Sequence, residues 1–141
     1  RGDRLEVAFR FRILDGEEMV LCTVGDAREP AELRARGGRL LLCAANQEIE
    51  CGKLPPRPAA SATAAPDWVA VEISTAADTT RLRINEGPWA QVAHRPEATL
   101  FYLGQGYRPE RAEKRDIPHA TSRFVVDVAS VRSRVTTAPP K

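Results

Sequence analysis

The stretch Leu5-Glu6-Val7-Ala8-Phe9-Arg10-Phe11-Arg12-Ile13 decides the fold class of this chain. Every odd position in it is apolar, and most even positions are charged. Because successive side chains of a strand point to opposite faces, this alternation predicts a strand with one face in a core and the other in water. The rest of the chain shows almost no helical pattern.

Short apolar segments of the same kind recur along the chain, with turn residues between them. Residues 19–24 are almost continuously apolar, which predicts a central strand covered on both faces. Gly37-Gly38 predicts a two-residue hairpin turn, since glycine tolerates the positive φ angles that a type I′ turn needs. Residues 124–131 are predicted to form the last strand. The pattern as a whole predicts an all-β, two-sheet antiparallel sandwich.

A chain of 141 residues is long enough for one domain with its own core. We expect residues 1–135 to form that domain, with a proline- and alanine-rich loop at residues 53–67 and a tail at residues 136–141. Because the chain begins at Arg1 rather than at a methionine, we expect it to be part of a longer protein.

The charge balance argues against a polyanionic partner such as nucleic acid. The chain has 21 basic and 19 acidic residues, for a net charge of +2. A value so close to neutral gives no general attraction to nucleic acid. No apolar run reaches the roughly 18 residues of a transmembrane helix, so we expect no membrane insertion.

The order of the motifs resembles that of laminin G-like domains, also called LNS domains, over roughly residues 5–131. These domains are jelly-roll sandwiches of extracellular and adhesion proteins. The matching segments are residues 7–13, 19–25, 32–40, 67–71, 82–85 and 100–106, with a partial match at residues 124–128. The chain is a divergent example, because Val69 replaces the family's histidine after Trp68 and the C-terminal cysteine is absent.

The resemblance implies an extracellular, non-enzymatic adhesion or ligand-binding module of a receptor or matrix protein. Its partner would be an extracellular protein or a sulfated glycan. The ligand would dock on loops at the rim, residues 25–30, 74–80 and 104–120, or on an arginine-bearing sheet face. The family often has a calcium site on this rim, which implies Asp26 as a ligand; no other cofactor is expected. The chain also lacks the motifs of nucleophilic catalysis and phosphate binding.

Arginines recur at strand spacing on the polar faces. Two arginines at positions i and i+2 point the same way, and neighbouring pairs would form a stripe able to bind sulfate or carboxylate. The alternative is an ordinary solvated face that prevents sheets from pairing at their edges. Trp89 is predicted to join the site, while Trp68 is predicted to lie in the core. The candidate arginines are Arg10, Arg12, Arg34, Arg36, Arg81 and Arg83.

The three cysteines leave two interpretations open. Cys43 and Cys51 flank a predicted turn, and a register centred on Gln47 would place them opposite each other. They would then be able to form a cross-strand disulfide. The alternative is that all the thiols are buried and free.

Two further functions stay open from the sequence. The domain could be a structural spacer or a dimerisation surface, in which case its partner is a second copy of the chain. It could also bind carbohydrate in the manner of a galectin, since His94-Arg95 is similar to the His-Arg of galectin sugar-binding strands. The other galectin motifs are missing.

Overall fold

The computed structural model describes residues 4–16, 18–25, 30–44, 47–56, 67–76, 78–94, 101–103 and 125–136. These residues form strands joined by turns and short irregular segments. The strands are β1 (Arg4–Asp15), β2 (Glu18–Gly25), β3 (Pro30–Arg36), β4 (Arg39–Ala44), β5 (Gln47–Lys53), β6 (Val69–Ala76), β7 (Thr79–Ile84), β8 (Ala90–Ala93), β9 (Phe101–Leu103) and β10 (Val125–Thr136).

The strands form two five-stranded antiparallel sheets packed face to face. The first, here called the β1 sheet, has the order β10-β1-β6-β7-β8. The second, here called the β3 sheet, has the order β5-β4-β3-β2-β9. Strand β5 packs against β7 and β8, and Phe9 of β1 lies 6.0 Å from Phe101 of β9, measured between ring centroids. The predicted jelly-roll sandwich is thus confirmed.

The opening strand places its odd positions in the core, as its alternation predicts. Leu5, Val7, Phe9, Phe11 and Ile13 are all buried, and the side chain of Phe11 has no exposed surface. Strand β1 pairs with β6 on one side and with β10 on the other. Burying a side chain as large as leucine or phenylalanine contributes about 1.5–3 kcal/mol. This strand is therefore a central element of the sandwich.

The Gly37-Gly38 hairpin has the predicted geometry. The two glycines have φ angles of +57° and +80°, and they join β3 to β4 with Arg36 opposite Arg39. A side chain on either glycine would meet no other atom within 4 Å. The requirement for glycine here thus comes from the backbone conformation and not from crowding.

The register of the hairpin between β4 and β5 shows that the predicted cysteine pairing is wrong. Its register is centred between residues 45 and 46, so Cys43 lies opposite Glu48. A bulge between Leu40 and Leu41 then leaves Cys51 without a directly opposite residue. All three cysteines are free. The predicted disulfide between Cys43 and Cys51 is absent because the turn is tighter than a register centred on Gln47 requires.

Other boundaries also differ from the sequence prediction. Strand β8 (Ala90–Ala93) was not predicted, because its four residues give too short an alternation to recognise. Strand β10 continues to Thr136, beyond the predicted end at residue 131. Most of the proline- and alanine-rich stretch, residues 57–66, and residues 137–141 of the predicted tail lie outside the described residues.

Candidate arginine face

The outer surface of the β1 sheet carries seven arginines among the described residues. Arg4 lies at the start of β1, and the surface formed by the other six is here called the arginine face. Each of these positions alternates with residues that point into the core or toward the inner side of the sheet. Because three strands contribute two arginines each, the side chains lie on one continuous surface. They are Arg10 and Arg12 of β1, Arg81 and Arg83 of β7, and Arg132 and Arg134 of β10.

The strand register gives this face its order. In one row across the sheet, Glu6 of β1 lies opposite Arg134 of β10 and opposite Ser74 of β6. Ser74 in turn lies opposite Arg81 of β7. A second row of residues lies beside the first, begins at Arg132 and crosses β1 and β6. The face is therefore a grid in which arginines lie among acidic, neutral polar and small side chains.

Trp68 stands at one side of this grid. The guanidinium carbons of Arg12 and Arg10 lie 4.4 Å and 5.4 Å from the centroid of its ring. Both distances are in the range of cation–π attraction. The prediction that Trp68 lies in the core is wrong, since its side chain is only partly buried and stacks against arginines on the outer surface.

Trp89 makes the equivalent contacts on the other side of the face. Its ring centroid lies 4.6 Å from the guanidinium carbon of Arg81 and 4.8 Å from that of Arg83. The side chain is 38% exposed, so part of the indole is open to a ligand. An aromatic surface edged by cations can contact the apolar part of a sugar while its neighbours bind an anionic group.

A fixed turn brings Trp89 to this position. Asn85 and Glu86 adopt positive φ angles of 50° and 59°, which reverse the chain after β7. Asn85 anchors the turn to β6, because its backbone N–H donates to the Ala70 carbonyl and its Oδ1 accepts from the Ala70 N–H, both at 2.8 Å. Gly87 then donates to the Ile84 carbonyl at 2.9 Å.

Three arginines of the face are neutralised by carboxylates. Arg12 Nε lies 3.0 Å from Asp127 Oδ2, and Arg83 Nη2 lies 2.8 Å from Glu72 Oε2. Arg134 pairs with Glu6 in the same way. These pairs are partly exposed, so each contributes little to stability, about 0–1 kcal/mol. Their main effect is to fix the positions of the charges.

The other three arginines have no carboxylate partner among the described residues. Arg10 donates to Ser130 Oγ at 3.2 Å and stacks on Trp68. Arg81 stacks on Trp89, and its guanidinium makes no side-chain hydrogen bond within the described ranges. Arg132 makes neither contact with any residue that the structure describes, and it is exposed. These guanidinium groups are available to bind an anion.

Two grooves cross the arginine face and share Ala8, Glu72 and Arg132. The first has a volume of about 400 Å³ and the second about 840 Å³. Volumes of this order accommodate small ligands or a few sugar units. The polar residues that line the first groove are Glu6, Glu72, Ser74, Arg81, Arg132, Ser133 and Arg134, with Trp89 beside them.

The remaining two candidate arginines lie on the opposite side of the molecule. Arg34 and Arg36 belong to β3 and project from the outer face of the β3 sheet. Arg34 pairs with Glu32, and Arg36 lies 3.5 Å from Glu18 and 3.3 Å from Glu48. They share no surface with the arginine face, so the single stripe of six predicted arginines does not form.

Sequence reasoning missed Arg132 and Arg134, which complete the arginine face. They lie in the part of β10 that was predicted to be the end of the domain. Their spacing of i and i+2 was the available signal. This spacing was not recognised as part of a strand, because the residues between the arginines at the end of β10 are valines and serines and do not form a clear apolar face.

The rim prediction concerns residues that are mostly undescribed. Asp26 and residues 104–120 lie outside the described residues. Within the described ranges, no group of three or more histidine, cysteine or acidic side chains is placed to hold a metal ion. The calcium site therefore stays a prediction.

His94 is not available for the galectin-like role. The side chain is 3% exposed, and its Nδ1 lies 2.7 Å from Thr80 Oγ1. Thr80 Oγ1 in turn lies 2.9 Å from Thr75 Oγ1, which makes a buried polar chain between β6, β7 and the end of β8. His94 thus acts as part of the interior and does not present its ring to a sugar.

The free thiols are protonated at neutral pH. Burial raises the pKa of Cys22 to about 12 and that of Cys51 to about 12, from an ordinary value of 9.0. Burial also raises the pKa of Cys43. Because the thiolate is the reactive form, these cysteines are poor nucleophiles.

Two solved structures are similar to this chain over 94% of its length. The LG4-5 domains of the mouse laminin alpha1 chain match with a TM-score of 0.53 and 17% identity. The botulinum neurotoxin serotype G binding domain matches with a TM-score of 0.51 and 9% identity. This chain spans 36% and 33% of the lengths of those two chains. The similarity shows the fold, a jelly-roll sandwich shared with laminin G-like domains.

Other comparisons give no further relative. No family model matches the sequence, and no curated protein matches it. In the described ranges no helix is long and apolar enough to cross a membrane.

Proposed function

We propose that the chain is a non-enzymatic, extracellular carbohydrate-binding module that recognises a sulfated glycan on its arginine face. The observation that carries the proposal is the first groove, where Arg81 and Arg132 pair with no carboxylate of the described residues and Trp89 is partly exposed. Guanidinium groups match the geometry of sulfate, and each charge-assisted hydrogen bond to such a group contributes about 1.5–3 kcal/mol. The two similar structures are a laminin domain pair and a toxin binding domain, which supports a binding role by analogy.

The mixture of charges on the face favours a glycan over other anionic partners. Three carboxylates, Glu6, Glu72 and Asp127, stand among the six arginines. Carboxylates repel a densely charged strand, but they accept hydrogen bonds from hydroxyl groups. A sulfated sugar offers both hydroxyl donors and separated anionic groups, so it satisfies both kinds of side chain.

The test is binding to keratan sulfate, a glycan whose sulfate groups are separated by uncharged, hydroxylated sugars, by isothermal titration calorimetry. The variants R81Q and R132Q remove one positive charge each from exposed residues. We expect each to weaken binding by about tenfold or more, the equivalent of one charge-assisted hydrogen bond. The matched control is R36Q, which removes an arginine from the β3 sheet and should bind as the unaltered chain does.

The proposal is wrong if the unaltered chain does not bind keratan sulfate. It is also wrong if R36Q loses affinity while R81Q and R132Q keep it. In the second case the binding surface is the β3 sheet. Binding should also weaken as salt concentration rises, because exposed charges are screened.

A further inference from the structure

We infer that the ligand is a linear chain that crosses the strands of the β1 sheet, with one anionic group at Arg81, a second at Arg132 and an uncharged, hydroxyl-bearing segment between them. This inference rests on the proposed function and specifies the charge pattern of the glycan. It depends on the positions of Arg81 and Arg132, which pair with no carboxylate in the described part of the chain, and on the side chains that lie between them.

The two cations are held far apart. Arg81 belongs to β7 and Arg132 to β10, and the strands β1 and β6 lie between them. Three strand spacings of roughly 4.8 Å put the backbones of β7 and β10 about 14 Å apart. The stacking of Arg81 on Trp89 at 4.6 Å keeps its guanidinium on the side of the face away from β10. The two arginines thus start from opposite sides of the groove, and a ligand that binds both in these positions must be extended.

The surface between the two cations is unsuited to an anion. Glu6 and Ser74 occupy one row, and Glu72 lies in the next. Both glutamates are held in place by ion pairs with Arg134 and Arg83. Each of these ion pairs is neutral overall, so the surface between the two cations gives an anion no net attraction, whereas the carboxylate oxygens accept hydrogen bonds from hydroxyl groups. The middle of the ligand is therefore uncharged and hydroxylated.

A continuous groove connects Arg81 to Arg132. Arg81, Trp89, Arg132 and the two glutamates line one groove of about 400 Å³. The second groove joins it at Arg132 and Glu72. An extended chain seated at Arg81 can thus reach Arg132 without leaving the surface.

The experiment compares keratan sulfate oligosaccharides with one sulfate per disaccharide, of defined length: a disaccharide, a tetrasaccharide and a hexasaccharide. Binding to the whole chain is followed by the fluorescence of its two tryptophans, both of which stack against arginines of this face. We expect the hexasaccharide to bind at least tenfold more tightly than the disaccharide, because only the longer ligand reaches both cations. The variant R132Q should lower the affinity for the hexasaccharide about tenfold and leave that for the disaccharide unchanged. R81Q should lower both.

Inorganic polyphosphate of similar length tests the uncharged middle. Its evenly spaced charges lie over the glutamates, so it should bind at least tenfold more weakly than the hexasaccharide. The double variant E6Q/E72Q should reduce the ratio of the affinity for the hexasaccharide to the affinity for polyphosphate. Control R36Q should leave all the ratios unchanged.

The outcomes separate the two proposals. If no oligosaccharide of any length binds, the proposed function itself fails. If the oligosaccharides bind with equal affinity, or if R132Q weakens the disaccharide as much as the hexasaccharide, the function stands and the extended mode is overturned. Polyphosphate that binds as tightly as the hexasaccharide would overturn the uncharged middle segment.

Discussion

The contact between Gly52 and Ile84 offers a quantitative test of how the two sheets pack. Gly52 lies in β5 and Ile84 in β7, on facing sheets. A Cβ atom on Gly52 would lie 3.0 Å from Cγ1 of Ile84, 3.2 Å from its Cβ and 3.3 Å from its Cγ2. Carbon atoms in contact prefer about 3.5–4.0 Å, so the added methyl overlaps three atoms. The substitution G52A therefore forces the sheets apart or strains the side chain.

We expect G52A to lower the free energy of unfolding by about 1–3 kcal/mol, the usual cost of an extra methyl group in a packed core. Replacing glycine by alanine also reduces the entropy of the unfolded chain, which offsets about 0.4–1 kcal/mol of this loss. The net destabilisation should be about 1–2 kcal/mol. Urea unfolding followed by circular dichroism measures it.

A double-mutant cycle identifies the cause. I84A removes Cγ1 and Cγ2, two of the three overlapping atoms, and by itself costs about 2–5 kcal/mol. In the I84A background, G52A should be neutral or stabilising, because the new methyl fills the vacated space. The matched control is G38A, whose Cβ meets nothing within 4 Å but which has a φ of +80°. Its cost comes from the backbone alone and should be the same with and without I84A.

Two results would refute this reasoning. If G52A alone leaves the stability unchanged, the sheets do not approach as closely as described at this point. If its cost persists in the I84A background, the loss arises from the strand backbone of β5 and not from the facing side chain.

Three further predictions concern the interior. The pKa of Cys22 and of Cys51 is raised from 9.0 to about 12, so above pH 9 the folded chain keeps thiol protons that the unfolded chain loses. The contribution of these thiols to the free energy of unfolding is therefore fully present below pH 9 and falls as the pH rises toward 12. The midpoints of urea unfolding, measured at a series of alkaline pH values, will show this fall. A chain without these two cysteines should lose less stability over that range. T80V removes the 2.7 Å contact with His94 Nδ1 and should cost about 1–3 kcal/mol in thermal or urea unfolding; an unchanged midpoint would contradict the buried contact. F11A deletes a side chain with no exposed surface and should cost about 3–5 kcal/mol, whereas a loss under 1 kcal/mol would mean that β1 is not central.

The sequence by itself determined which residues of the clearly alternating strands, such as β1 and β7, face the core. In β1 the apolar odd positions are buried, and in β7 Leu82 and Ile84 are buried while Arg81 and Arg83 point outward. The hairpin turn at Gly37-Gly38 could also be predicted from the sequence, because the positive φ angles of such a turn exclude most other residues. These features depend on the two-residue period of a strand and on local backbone sterics, and both are properties of short segments.

Only the tertiary structure decided which arginines share a surface. The pairs in β1, β3 and β7 look alike in the sequence, yet β3 belongs to the other sheet and β10 supplies the missing pair. The same holds for Trp68, which a long-range contact with Arg12 places outside the core. A strand's own residues fix its two faces, whereas its neighbours are chosen by pairing between distant segments and by the packing of whole sheets. The arginine face is thus a product of strand order, which no single segment encodes.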